Sequence, residues 1–188
     1  MKQRSIIIFI IVALIQLAIP IGMIVGRESV LRTGTEYKFR TAPIDPYDPF
    51  RGKYITLDFD AIHFQIENHD LWHADDEVFV TLGTDSLGFA EIKNITKQPP
   101  VGSEYDYVKA KIYYSDVAQT TVEYTFNRYF MEENKAPDAE RVYREASRDT
   151  AQIAYALVSI KDGDAALKDV LINGISINKL AGKKEDEK

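Results

Sequence analysis

The sequence predicts a mainly β (α+β) protein: an N-terminal transmembrane helix followed by one antiparallel β-rich domain, barrel- or sandwich-like, with one short helix. Three observations carry this. The run "SIIIFIIVALIQLAIPIGMIVG", Ser5 to Gly26, is apolar and holds no charged residue. From "YKFRTA" onward the chain breaks into short alternating segments separated by turn chemistry, and period-two alternation marks a half-buried strand. One later stretch, "APDAERVYREASRD", has helical spacing instead. A chain of 188 residues is long enough for one domain with a real core.

The apolar run covers about 33 Å as a helix at ~1.5 Å per residue, enough to cross a bilayer core. Lys2 and Arg4 precede it, while Arg27 and Glu28 follow and nearly cancel. The positive-inside rule then places the N-terminus in the cytoplasm and the rest in the periplasm or outside the cell. The run exceeds a usual signal-peptide core and lacks a clear A-x-A site, so it reads as an uncleaved anchor in the inner membrane. Gln16 and Pro20 inside it suit contact with another membrane helix or simple tolerance. The expected organisation is an anchor at 5–26, a stalk at 27–35, the β-rich domain at 36–178 and a disordered charged tail at 179–188 ending "KKEDEK".

In "KYITLDFDAIHFQI" the odd positions Ile55, Leu57, Phe59 and Ala61 share one face, then Ile62, Phe64 and Ile66 are apolar at even positions. A strand cannot change phase without a bulge or break, which is expected near Ala61. "VFVTLG" and "GFAEIKNI" flank the turn "TDSLG" and predict a hairpin. "YVKAKIYY" places Val108, Ala110, Ile112 and Tyr114 on one face; "TTVEYTF" does the same with Val122, Tyr124 and Phe126. The two are expected as antiparallel neighbours through "SDVAQ". In the helical stretch Pro137 fits the first turn, and Ala139, Val142, Tyr143 and Ala146 form the apolar stripe. "IAYALVSIKDGDAALKDVLINGISI" reads as two strands around an Asp162-Gly163 turn, with a break at Asn173-Gly174.

Composition excludes several classes. Zero cysteine removes disulfides, thiol catalysis and Cys-ligated metals. A net charge of -6 without a basic block excludes nucleic acid as partner. His63, His69 and His73 lie near Asp75, Asp76 and Glu77, but the spacing matches no metal-ligand pattern, so no metal and no cofactor is expected. Trp72 among them is expected to cover the core. The chain has no G-x-S-x-G, Walker, H-E-x-x-H or G-x-G-x-x-G motif, and no catalytic residue is assigned.

The loop before the motif strand, "PIDPYDPFRGKY", carries Pro43, Pro46 and Pro49. Each residue before a proline is pushed to extended geometry, and Gly52 permits a close backbone approach. The segment is a stiff corner, and it also offers a preorganised recognition surface: Tyr47, Phe50 and Arg51 are residue types that carry interface energy, with Asp48 and Gly52 beside them.

"GKYITLDF", Gly52 to Phe59, resembles the signature of the GDYXXLXY family of membrane-anchored bacterial proteins. Gly52, Tyr54 and Leu57 match; Lys53 stands where the motif has an acid, and Phe59 where it has tyrosine. The approach Asp45 to Gly52, "RYFMEE" at Arg128 to Glu133, and "APDAE" at Ala136 to Glu140 are also similar to family patterns. The resemblance implies no established activity, and suggests an exported domain that works beside a multi-pass membrane protein. It adds Tyr54, Leu57, Arg128, Tyr129, Glu132 and Glu133 to the candidate binding residues. The expected function is a non-enzymatic accessory or interaction subunit of an envelope membrane complex. Two alternatives stay open. One is an envelope ligand-binding domain. The other is a membrane-bound hydrolase, because an anchor followed by a β-rich domain resembles the layout of membrane signal peptidases, with Ser29 the candidate nucleophile. Their S-M-x-P motif is absent: the chain reads "SVLR".

Overall fold

The computed structural model describes residues 2–42, 54–65, 71–102, 104–117, 119–149 and 152–182. Helix α1, Lys2–Thr33, contains the apolar run and Pro20. Its stretch Ile6–Thr33 is long and apolar enough to cross a membrane, and its most apolar window is not buried among the described residues. The helix does not stop at Gly26. Arg27 to Thr33 contain no helix breaker, and Glu28 pairs with Arg32 one turn on. The expected stalk is therefore the last two turns of α1, and only Gly34 separates it from the first strand.

Strand β1 (Thr35–Arg40) pairs with β9 (Ala154–Lys161), which pairs with β10 (Asp164–Ile172), which ends against β11 (Ile175–Ser176). A second sheet has the order β3 (His63–Phe64), β7 (Thr120–Tyr124), β6 (Tyr107–Ser115), β4 (Glu77–Thr84), β5 (Ala90–Thr96). Strand β2 (Tyr54–Thr56) pairs with β8 (Arg128–Phe130). Every strand ladder is antiparallel. Single bonds stitch the sheets into a nearly closed barrel. The Ala42 amide donates to Asp58, Leu57 to Asn127 and Val122 to Ile62. On the opposite side the Lys109 amide donates to Gly163, the turn between β9 and β10, at 2.9 Å.

The expected phase change falls where the sequence placed it. A turn at Ala61–Ile62 separates buried Ile55, Leu57 and Phe59 from half-buried Ile62 and Phe64. The β4–β5 hairpin and the β6–β7 pair also form as expected. Tyr114 does not follow Val108, Ala110 and Ile112 inward: the β6–β7 register shifts between Ile112 and Tyr114 and leaves Tyr114 exposed.

The barrel interior is filled by rings. Phe39, Phe59, Tyr124 and Phe126 form a cluster with centroid separations from 4.8 to 6.2 Å. Each fully buried ring of this kind contributes about 2–3 kcal/mol. The Tyr124 hydroxyl donates to the Ala61 carbonyl at 2.7 Å, which satisfies the one polar atom in the cluster and ties the turn to the core. Burial alone pushes the Tyr124 phenol far above its ordinary value.

Helix α2 (Ala136–Arg148) has Pro137 in its first turn and buries Ala139, Tyr143 and Ala146, with Val142 at the edge. A further helix, α3 (Ile177–Gly182), buries Ile177 and Ala181 against the core and contacts α2. The sequence reading put one soluble helix in the domain and began the charged tail at 179. Six residues are too short for periodicity to distinguish a helix from a strand end.

Candidate functional site

The family-like motif lies on β2 and the "RYF" segment on β8, and the register joins them: Tyr54 faces Phe130, Ile55 faces Tyr129, Thr56 faces Arg128. Alternation then sorts the candidate residues by face. Ile55, Leu57 and Tyr129 turn inward and are buried. Tyr54, Arg128 and Phe130 turn outward. The Tyr54 and Phe130 rings are 5.3 Å apart, and the Arg128 guanidinium lies over the Tyr54 ring at 5.3 Å. Phe130 is 67% exposed.

The inward side is a structural lock. The Tyr129 hydroxyl donates to Asp169 Oδ1 at 3.0 Å and accepts from Asn178 Nδ2 at 2.6 Å. Asp169 Oδ1 also accepts from the Ser176 hydroxyl and the Val170 amide. Burial and the Asp169 carboxylate push the Tyr129 phenol well above the ordinary tyrosine value. Asp169 sits at a register shift in β10, between Leu167 and Asp169. The network joins β8, β10 and the start of α3, and sequence reasoning missed Asp169, Ser176 and Asn178 because nothing in their spacing connects them to Tyr129.

Glu132 and Glu133 lie at the turn into α2, away from this face. Glu132 pairs with Lys135 at 3.0 Å, and its carbonyl accepts the amides of Lys135 and Ala136. Tyr47, Asp48, Phe50, Arg51 and Gly52, together with Lys53, lie outside the described residues. So does His69; His63 hydrogen-bonds Thr121 on β7, and His73 lies 3.8 Å from Asp76. Among the described residues no His, Cys, Asp and Glu side chains gather into a group that could hold a metal. Trp72 packs against the core under Lys97.

Beside the outward face lies a cavity of about 390 Å³. Arg128 and Phe130 line it, with Lys111 and Glu123 of the neighbouring strands, Leu167 of β10, and Arg27 of α1. Three cations meet one carboxylate there. Glu123 is held by Asn127 Nδ2 at 3.3 Å and is the cross-strand partner of Lys111. Among the described residues none of the three cations is held in an ion pair. The sequence reading missed Arg27 and Lys111, since only the fold, which packs the end of α1 on β9 and β10, brings Arg27 to the same cavity as Lys111 and Arg128.

The end of α1 is clamped onto the barrel next to this cavity. The Ser159 hydroxyl donates to the Val30 carbonyl at 2.7 Å, and Val30 itself is buried. Lys161 Nζ donates to Thr33 Oγ1 at 2.8 Å and to Ser29 Oγ at 3.2 Å. Thr33 in turn donates to the Ser29 carbonyl. Gly34 is packed so closely that a Cβ there would lie 2.6 Å from Ser159 Oγ and from the Val30 carbonyl, and 2.8 Å from the Ile160 carbonyl. The Ser29–Lys161 contact has the composition of a Ser–Lys dyad. Its surroundings do not suit one: the carboxyl end of a helix offers carbonyls, whereas a dyad needs amide donors for an oxyanion. The Ser159 and Thr33 hydroxyls donate to carbonyls of the last turns and Lys161 holds the Ser29 and Thr33 hydroxyls, which together fix the helix end.

A family model described as GDYXXLXY protein matches residues 16–170, and the chain belongs to that family. No curated protein and no solved structure matches the chain.

Proposed function

We propose that the protein is a non-enzymatic, membrane-anchored accessory subunit of an envelope membrane complex. In this reading α1 crosses the inner membrane, the barrel lies on the far side from the cytoplasm, and the outer face of β2–β8 with the adjoining proline loop meets a multi-pass membrane protein. The observation that carries it is the clamp at Ser29 to Gly34. A flexible linker would leave the domain free to turn and to change its height above the bilayer. A clamped one is suited to hold one face of the domain at a set height and rotation above the bilayer. Two further features support a platform over a carrier. The barrel interior is filled by aromatic rings, and the exposed Tyr54–Arg128–Phe130 group has the residue types of an interface anchor.

The test is photo-crosslinking in native membranes with a reactive residue at Tyr47 or Phe130. The expected product is an adduct with one multi-pass membrane protein; its absence from both positions contradicts the reading. The hydrolase alternative keeps one observation, the 3.2 Å contact from Lys161 to Ser29. Ser29→Ala separates the two, because loss of a peptidase activity in purified protein would support the hydrolase, and loss of stability alone supports the clamp.

A further inference from the structure

We propose that the cavity beside the anchor binds the phosphate of an anionic phospholipid headgroup. The proposal rests on the reading of α1 as a membrane anchor. Position is the first argument. Arg27 is the first charged residue after the apolar run, and it lines the cavity. At ~1.5 Å per residue its backbone lies within about one turn of the hydrocarbon boundary. The clamp begins at Ser29, two residues after Arg27, so Arg27 lies between the clamp and the apolar run.

Charge is the second argument. The chain carries a net charge of -6, yet Arg27, Lys111 and Arg128 converge here on a single lining carboxylate, Glu123. Guanidinium groups bind phosphate oxygens through paired donors, and basic pockets beside membrane helices bind lipid headgroups. The apolar lining is the third. Phe130 is exposed at the rim and Leu167 is half-buried within. A free phosphate has no use for a ring at the entrance, whereas a lipid offers its glycerol and first acyl carbons to it. The bound lipid would fix the height of the barrel above the bilayer, at the place where the clamp fixes its rotation.

The experiment uses the full chain purified in a neutral detergent. Native mass spectrometry measures retained lipid after addition of phosphatidylglycerol, phosphatidylcholine or inorganic phosphate. One phosphatidylglycerol is expected per chain, and phosphatidylcholine and phosphate should bind far more weakly. Arg27→Gln with Arg128→Gln should weaken phosphatidylglycerol binding roughly twenty-five-fold, taking about fivefold for each cation. Lys97→Gln, a cation elsewhere on the surface, should leave it unchanged. Each single variant is measured as well, with thermal unfolding to confirm a folded protein. Equal binding of phosphatidylcholine, stabilisation by phosphate alone, or full retention by a folded double variant overturns the proposal. Carbonate extraction of the producing cells tests the anchor separately. Release of a shortened chain contradicts the anchor and leaves the detergent measurement of the cavity intact.

Discussion

Ile55 and Tyr129, with Leu57 just past the end of β2, alternate with Tyr54, Arg128 and Phe130 along two short paired strands, and the two sets meet opposite surroundings. The inward set touches the ring-filled core and the Asp169 network, where each side chain has a fixed partner. In the outward set the Tyr54 ring lies against Phe130 and under Arg128, and the set borders a basic cavity. The difference teaches that the family's name motif is a composite. Part of it builds the barrel, and a small remainder lies on the outer face. Substitutions on the two faces should therefore separate stability from binding.

The largest effect should come from the core that the inward face packs upon. Phe39→Ala removes a fully buried ring from the four-ring cluster and should cost about 3–5 kcal/mol in thermal or denaturant unfolding. An unfolding temperature close to wild type would break the comparison at its base.

Gly34→Ala comes next, since the added methyl meets two carbonyls and the Ser159 hydroxyl below normal contact. A loss of about 1–3 kcal/mol is expected, with new protease cleavage between Arg27 and Gly34 as the helix end detaches. Asp169→Ala should cost a similar or smaller amount, about 1–2 kcal/mol, because the Tyr129 hydroxyl then keeps Asn178 alone.

A pH effect sharpens the inward side further. Burial, with the Asp106 carboxylate added, pushes the Tyr37 phenol from 10.0 up to about 12. The folded protein therefore holds this proton where the unfolded chain has lost it. Its contribution is full below pH 10 and is lost as pH rises through about 12. Unfolding temperature should fall across that window, and Tyr37→Phe should make the fall shallower. Tyr124 and Tyr129 are raised as well and leave part of the slope in place.

The smallest stability effect belongs to the outward face. Arg128→Gln and Phe130→Ala should each change stability by no more than about 0.5 kcal/mol, while they reduce crosslinking and lipid retention. A large destabilisation from either would merge the two faces into one structural role.

Alternation made much of this legible in the sequence. It assigned the inward faces of β2, β6 and β7, and it located the turn at Ala61 from a single change of phase. Tyr114 shows where such reading stops: one bulge in β6 reverses the face of every later residue, and apolar character does not announce it. The site was only half legible. Tyr54 and Arg128 were found through the motif, but their shared face required the β2–β8 register. Arg27, Lys111 and Asp169 are far apart in the chain and become neighbours of the motif only when the barrel closes. The helical continuation of α1 through Thr33 was hidden because short polar segments after an apolar run read equally well as linker.

The central claim is that the clamped anchor presents the outward face of β2–β8 at a fixed orientation. A flexible Gly-Ser segment inserted between Gly26 and Arg27 leaves the clamp and core untouched and frees the domain from the apolar part of α1. Crosslinking from Phe130 in native membranes should capture a multi-pass membrane protein in the wild type and lose most of that adduct in the insertion variant, at unchanged unfolding temperature. An equally strong adduct in both would contradict the account.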